Sequence, residues 1–418
     1  MEASGAEVFD VIVVGAGIMG SCAAYHLARR GRSILLLEQF DLLHHRGSSH
    51  GESRTIRVTY PEPYYPAMVL ESFRLWEEAE AEAGYRVLTR TPHLDVGPAG
   101  DRCLRLAVEN CRANSVPVRV LAPAEVEEMF SGAFTLPEGW IGVLSECGGV
   151  IKPTKAVAMF QALAMRKGAT LKDRVEVVEI KKEGANGGIR VATKGGHQFR
   201  GRKCVVTAGA WTRKLVEAVA GRVLPIQPLH TTICYWKIRS GHEEAFSPEG
   251  GFPTFASYGN PYIYGTPSLE YPGLIKIALH EGYPCDPDRR NWETDLGLQA
   301  RKVAPWMEQV MPGLVDPVRP AMTQSCMYSM TPDGDFVIDF AGGELGEDVV
   351  VAGGFSGHGF KMGPVIGRVV ADLVLEGAAP GVELERFRLR RFEEDPKGNA
   401  KEFEDQVRSH GPPSRSSL

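Results

Sequence analysis

Asp10-Val-Ile-Val-Val-Gly-Ala-Gly-Ile-Met-Gly20 is followed by a helix-like run to Arg30 and by a second apolar run, Ser33 to Leu37, that ends in Glu38. Strand, glycine-rich turn, helix and strand in this order make the βαβ fingerprint of a dinucleotide site. Gly15 permits the tight turn, Gly17 lets a pyrophosphate approach the backbone, and Gly20 lets helix and strand pack closely. The helix start then offers unpaired N–H groups and a positive dipole end to the phosphates. Glu38 stands 23 residues beyond Gly15, where a carboxylate can accept hydrogen bonds from ribose hydroxyls and repel a 2′-phosphate.

The rest of the composition narrows the class. A chain of 418 residues has length for two domains around a sizeable core. A net charge of -5 with no basic tract argues against a nucleic-acid partner. No apolar run approaches the roughly 20 residues that cross a bilayer. The segment Met1 to Phe9 is short and acidic, so no signal or transit peptide is expected. Eight cysteines lie scattered with no CxxC pair, which fits free thiols in a reducing compartment better than a disulfide framework or a zinc site. His44, His45 and His50 lack a regular ligand spacing and an acidic companion set, so no metal is expected there.

Those histidines belong to a polar loop from His44 to Arg57, too long and too charged for a plain connector. Arg54 and Arg57 project either into solvent or toward whatever the loop covers. Pro66 to Ala83 reads as an amphipathic helix with Val69, Phe73 and Trp76 on one stripe. Between about 90 and 147 frequent Gly and Pro suggest short pieces and a change of domain, as in Thr91-Pro-His-Leu-Asp-Val-Gly97. Thr154 is expected to cap a helix to about Lys167, with a strand near Thr170 to Ile180 and a hairpin turn at Asn186-Gly187. Lys203 to Trp211 reads as a buried strand entering a small-residue turn and a helix. Strands follow at Ile233 to Ile238, Tyr262 to Gly265 and Leu274 to Leu279, with a helix from Asp295 to Val310. Glu347 to Lys361 repeats the pattern of strand, glycine turn and helix, and the charged segment from about Arg386 to His410 has no readable role.

Strands returning near 203 and 348 imply a nucleotide-binding sheet assembled from discontinuous pieces. NAD normally needs one contiguous unit, whereas FAD lies extended across a domain and is often touched by a late glycine turn, so FAD is favoured. The expected class is α/β: an FAD-binding Rossmann-like domain of glutathione-reductase type from 1–90, 148–225 and 331–392, and a β-rich α+β substrate domain from 91–147 and 226–330. Residues 393–418 form a tail.

Three blocks, Gly47-Ser-Ser-His-Gly-Glu-Ser-Arg-Thr-Ile-Arg57, Ser325-Cys-Met-Tyr-Ser-Met-Thr-Pro-Asp333 and Gly354-Phe-Ser-Gly-His-Gly-Phe-Lys361, resemble signature segments of one family. That family comprises monomeric sarcosine oxidase, peroxisomal sarcosine and pipecolate oxidase, and N-methyltryptophan oxidase. The likeness runs in the same order from about residue 9 to 390. Ser329 where threonine is commoner, the stretches 40–46 and 181–200, and a longer tail depart from the pattern and limit what it says about substrate.

The resemblance implies a flavin joined through a cysteine sulfur to its 8α carbon, and the matching position is Cys326; read alone, Cys326 is a buried structural thiol. Arg57 and Lys361 match the pair that binds the substrate carboxylate, by a guanidinium fork and a point charge. Arg54 matches the arginine over the flavin ring. Lys276 sits in an apolar strand, where a lysine must face water, a carboxylate or a reaction centre. In the family the matching lysine promotes reduction of dioxygen by stabilising developing negative charge. His280 matches a histidine that biases the substrate amine toward its neutral, hydride-donating form. Tyr60, Tyr264 and Tyr328 match pocket tyrosines, or are core residues with satisfied hydroxyls. His358, Gly354 and the turn around them are expected to touch the flavin.

These matches imply an FAD-dependent oxidase of secondary α-amino acids such as sarcosine or pipecolate, giving an imine and hydrogen peroxide. A flavin dehydrogenase serving another electron acceptor, an idle flavin-binding protein and a nicotinamide-linked enzyme are the rival readings. A monomer is expected. Peroxide production suits a peroxisome, and Ser416-Ser417-Leu418 resembles the S-K-L address that an import receptor reads, with Ser417 in place of lysine.

Overall fold

The computed structural model of the chain describes residues 7–184, 188–290, 292, 296–403 and 408–409. Strand β1 (Val8–Val14), helix α1 (Ile18–Ala28) and strand β2 (Ile34–Leu37) form the expected βαβ unit. Val11 to Val14 and all four residues of β2 are buried, as parallel strands covered on both faces require. These strands sit inside an eight-stranded sheet whose main path runs Val337–Gly342, Gly346–Gly353, Gln198–Val206, β1, β2, Thr170–Lys172. The five strands from Gly346–Gly353 to Thr170–Lys172 are mutually parallel, and Val337–Gly342 is antiparallel to its neighbour. The return near 203 therefore does lie beside β1, and the return near 348 lies beside that strand in the same sheet.

Every residue of α1 is buried, so the helix has no polar face. Against it lies the helix Gly363–Glu376, and glycine explains how close the two come. A Cβ on Gly363 would stand 2.7 Å from Ile18 Cγ1, and one on Gly367 would stand 2.6 Å from the Cys22 carbonyl carbon.

The second sheet has eleven strands and is mostly antiparallel. Gln227–Lys237 lies between Met322–Met330 on one edge and Leu274–Leu279 with Glu281–Pro284 on the other. The sheet continues through Ile263–Thr266, Thr254–Ser257, Leu88–Pro98 and Trp140–Ile151 to strand β3 (Arg54–Arg57). Residues 90–147 thus depart from the short pieces expected of them, for Leu88–Pro98 and Trp140–Ile151 are long paired strands. Their glycines mark close approach: a Cβ on Gly148 would lie 2.8 Å from His93 Cβ, and one on Gly149 would lie 2.6 Å from the Thr89 carbonyl oxygen. β3 lies in the stretch 1–90 yet joins this sheet, and Trp140–Ile151 runs across position 148.

Other local expectations shift for identifiable reasons. The helix Pro153–Arg166 starts at a proline after Lys152, so Thr154 is not its cap. The Thr154 hydroxyl instead accepts from the Gly51 N–H and donates to the Gly51 carbonyl, both at 3.1 Å, stapling the loop before β3. The stretch Thr170 to Ile180 divides into the strands Thr170–Lys172 and Val177–Lys182. The Asn186-Gly187 turn, Asp295 and Ser416-Ser417-Leu418 lie outside the described residues. Helix α2 (Tyr65–Ala83) and the helix Leu296–Val310 otherwise match their readings. The unreadable tail has a clear anchorage: Arg391 Nε and the Asn399 N–H reach Asp333 Oδ2 at 2.7 and 2.9 Å, and Asn399 Nδ2 reaches Asp335 at 2.8 Å.

Candidate active site

A cavity of about 380 Å³ opens at the carboxyl ends of β1 and β2. Gly15, at φ +99°, turns the chain there, and a Cβ would stand 2.5 Å from the Thr207 carbonyl oxygen. A Cβ on Gly20 would overlap the Gly15 carbonyl oxygen, so α1 can seat only on glycine. Gly17 lines the cavity at the start of α1, which has no side-chain cap from that residue and no acidic group in its first turn. Glu38 lines it too, and also braces the turn by accepting the Ala16 N–H at 2.9 Å and the Phe40 N–H at 3.1 Å. The cavity extends past Thr207 to Trp211 to a far wall of Arg54, Cys326, Tyr328, Gly357 and Phe360. A glycine-walled channel with an anion-seeking helix end, running on to that far wall, fits an extended dinucleotide such as FAD.

The late glycine turn divides its duties differently from expectation. Gly357 and Gly359 line this cavity, whereas Gly354, at φ +63°, packs with a would-be Cβ 2.5 Å from Thr331 Cγ2 and lines neither cavity. His358 lines the smaller cavity beyond and not this one.

That smaller cavity, about 100 Å³, shares Arg54, Cys326, Tyr328, Gly357 and Phe360 with the larger, so these residues form a common wall. Sheet register explains why distant residues meet there. Thr231 pairs with Cys326 and Leu229 with Tyr328, while Tyr235 pairs with Lys276. Tyr264 pairs with Ala278 and Ala256, and Ala256 pairs with Asp95. Side chains alternate along a strand, so Cys326, Tyr328, Lys276, His280, Tyr264, Tyr262 and His93 share one face.

Four cations crowd this face. Arg54 is held by the carbonyls of Ser53 at 2.9 Å, Ser48 at 3.0 Å and His50 at 2.8 Å, and its Nη2 lies 3.5 Å from Cys326 Sγ. Lys276, only 2% exposed, donates to the Ser53 carbonyl at 3.0 Å with its Nζ 5.3 Å from the Tyr264 ring centre. Arg57 lies over the Tyr60 ring at 4.7 Å and reaches the hydroxyls of Thr59 at 3.4 Å and Tyr262 at 3.5 Å. Lys361 Nζ donates to the Tyr60 hydroxyl at 2.9 Å and to the His358 carbonyl at 3.1 Å. Among the described residues none of the four makes an ion pair. Asp95 acts on Arg57 and Glu62 on Lys361 without direct contact, so the buried cations are incompletely compensated, and an entering anion relieves that cost.

The same environment sets protonation. Burial, and then Arg54, push Lys276 down to about 7, against an opposing pull from Cys326. Burial and then Arg57 hold Lys361 well below the usual lysine range, and a carboxylate entering beside it would favour its charged form. Burial followed by Lys361 and Arg57 pushes His280 down to about 3, leaving it neutral with Nδ1 3.0 Å from the Tyr328 hydroxyl.

Of the expected site residues, the structure gathers Arg54, Arg57, Tyr264, Lys276, His280, Cys326, Tyr328, His358 and Lys361 around one small chamber. Gly15, Gly17 and Glu38 line the channel, with Gly20 packed behind the Gly15 turn. Tyr60 lines neither cavity; it lies behind Arg57 and Lys361 because its hydroxyl is engaged by Lys361 and His358. Sequence reasoning missed His93 and Asp95, a fully buried pair joined at 2.9 Å, and Tyr262. The alternation of Thr91, His93 and Asp95 with Leu94 and Val96 was the available signal for a strand with a polar inner face.

Comparison with known proteins agrees with this arrangement. A probable sarcosine oxidase of Arabidopsis thaliana is 59% identical over 410 residues, covering 97% of this chain and 98% of that protein. The peroxisomal sarcosine oxidase of Homo sapiens is 36% identical over 392 residues, covering 92% and 97%. The solved structure of NikD, an unusual amino acid oxidase essential for nikkomycin biosynthesis, superposes with a TM-score of 0.78 at 26% identity across 91% of this chain and 97% of that one. The profile of DAO, FAD dependent oxidoreductase, matches residues 10–373, and with a dinucleotide channel at the βαβ turn the chain belongs to that family.

Proposed function

We propose that the protein oxidises small secondary α-amino acids, with sarcosine and pipecolate as candidate substrates, to imines with formation of hydrogen peroxide. One observation carries this reading: Arg57 and Lys361, neither in a direct ion pair among the described residues, share a small chamber with neutral His280, across one wall from the dinucleotide channel. Arg57 and Lys361 bind the carboxylate, and its charge compensates theirs. His280, fixed by Tyr328, accepts from the amine without adding a positive charge, so the amine keeps the lone pair that hydride loss requires. Carboxylate at one end and His280 at the other hold the reacting carbon toward the wall formed by Cys326 and Gly357. FAD, held in the larger cavity, would supply the hydride acceptor and the route of the electrons to dioxygen. Lys276, a buried cation beside that wall, stabilises negative charge developing on oxygen. Arg54 screens the chamber from the loop before β3.

Sarcosine would give glycine and formaldehyde after imine hydrolysis, and pipecolate a cyclic imine. A chamber of about 100 Å³ favours both over an indole-bearing substrate. Cys326 Sγ, on the wall common to both cavities, is the proposed thioether link to the flavin 8α carbon. The eight-stranded sheet is the proposed FAD-binding part and the eleven-stranded sheet the substrate part. A monomer accords with the monomeric sarcosine oxidases among the relatives, and delivery to the peroxisome through Ser416-Ser417-Leu418 and its import receptor accords with the peroxisomal ones.

A panel of sarcosine, pipecolate, proline and N-methyltryptophan with peroxide detection tests the reading. Peroxide from sarcosine or pipecolate is expected, and none from any of the four would overturn it. Acid precipitation should leave the yellow chromophore in the pellet; a colourless pellet would refute the Cys326 link.

A further inference from the structure

Behind the smaller cavity the hydrogen bonds run in one direction. The Gly334 carbonyl can only accept, so His358 Nε2, 2.9 Å from it, carries the ring proton. Burial, and then Lys361, hold His358 well below the usual histidine range, so the ring is neutral and its Nδ1 is a bare acceptor. The Tyr60 hydroxyl, 3.1 Å from Nδ1, must donate to it. That leaves the Tyr60 oxygen to accept from Lys361 Nζ at 2.9 Å. Donation therefore passes from Lys361 to Tyr60, from Tyr60 to His358, and from His358 to Gly334.

Both ends of this column are anchored. The Lys361 carbonyl accepts from the Ser72 hydroxyl at 2.6 Å and from Trp76 Nε1 at 2.9 Å, both on α2. Gly334 lies between Asp333 and Asp335, and Asp335 takes the hydroxyls of Tyr64 and Tyr65 at 2.7 and 2.8 Å. Arg391 and Asn399 of the C-terminal segment hold Asp333. Tyr60 lines neither cavity, so it has no direct route to a substrate. His358 lines the smaller one, but both its ring nitrogens are engaged.

A lysine is a point charge on a flexible stem, and its aim must come from its neighbours. Two ammonium donors of Lys361 are taken by the Tyr60 hydroxyl and the His358 carbonyl, which leaves one. We propose that Tyr60 and His358 are positioning residues for Lys361: they hold its last donor toward the chamber, in the pose that meets a substrate carboxylate beside Arg57. This role rests on the reading of Arg57 and Lys361 as the carboxylate site.

The test uses the holoenzyme, with KM and kcat for sarcosine and the Kd of methoxyacetate, a carboxylate with no amine to oxidise, read from flavin absorbance. Loss of one aiming hydrogen bond in Tyr60→Phe or His358→Leu should raise KM and Kd together by about tenfold, with the loss in KM rather than kcat. His358→Asn, whose amide oxygen can stand near the place of Nδ1, should recover most of it. In a Lys361→Met background, Tyr60→Phe should add less than about twofold, because residues acting through one side chain are not additive. A full tenfold addition in that background, or a loss confined to kcat, would overturn the proposal even where His358→Leu fails to fold. Lys361→Met leaving the methoxyacetate Kd at its original value would remove the carboxylate reading itself, and this role with it.

Discussion

The larger cavity is shaped by backbone and the smaller by side chains. Gly15, Gly17 and Gly20 come from one short stretch, and each works by the absence of a side chain: the turn, the phosphate approach and the seat of α1 all need empty space. Arg57, Tyr264, Lys276, Cys326 and Lys361 come from five separated segments and work by charge, hydrogen bonding or reactivity. Channel geometry therefore tolerates polarity but not bulk, and the chamber the reverse. Substitutions that keep volume and remove charge should spare the channel and disable the chamber.

The largest expected effect lies in the chamber. Lys276→Met keeps the stem and removes the cation, so flavin reoxidation by dioxygen should slow by roughly 100- to 1,000-fold, the scale of one preorganised electrostatic contact. Stopped-flow mixing of reduced enzyme with oxygen measures this, and flavin reduction by sarcosine should change far less. Unaltered reoxidation would remove Lys276 from that role and revive the dehydrogenase reading. Next comes Arg57→Met, which deletes a charged hydrogen-bond partner worth about 1.5–3 kcal/mol and should raise KM for sarcosine some 10- to 100-fold. Equal affinity for methoxyacetate in the variant would place carboxylate binding elsewhere.

The complementary test loads the channel with bulk. Gly20→Ala pushes a methyl group into the Gly15 carbonyl, and overpacking of this kind costs about 1–3 kcal/mol. A lower melting temperature and a lower flavin content are expected together; a normally stable, fully yellow Gly20→Ala protein would mean that helix and turn are not in contact.

The smallest effect compares the two regions by pH. His26 in α1 and His280 at the chamber are both pushed down to about 3, first by burial. In the unfolded chain each titrates near 6.5, so below that pH the unfolded state binds more protons and stability falls as pH drops. Each histidine adds up to about 1.4 kcal/mol per pH unit to that slope. Denaturant melts of His26→Gln and His280→Gln between pH 7 and 5 should each show a shallower decline than the parent protein; an unchanged slope would mean that the ring is not buried neutral.

The contrast also explains what the sequence could say. The channel was legible because its determinants are contiguous: glycine spacing, a helix and an acid at the end of the next strand are one local pattern. The chamber residues were reached through resemblance, because only sheet register brings Lys276 beside Tyr235 and Tyr264 beside Ala278. The sequence of the late glycine turn does not say which member faces a cavity and which packs: Gly354 packs on Thr331, and His358 lines the smaller cavity. Of the two readings left open for Tyr60, the structure matches the buried residue with a satisfied hydroxyl, engaged by Lys361. Gly97 and Gly142, within the stretch read as short pieces, sit instead in long paired strands where neighbours come close.

The central claim is that the chamber recognises a carboxylate and presents the neighbouring amine to the flavin. Anaerobic mixing of the holoenzyme with sarcosine and, separately, with sarcosine methyl ester tests it most directly, since the ester keeps the secondary amine and lacks the negative charge. The expected result is rapid bleaching of the yellow absorbance by sarcosine and none by the ester at the same concentration. Bleaching by the ester at an equal rate, or by neither compound nor pipecolate, would contradict the account.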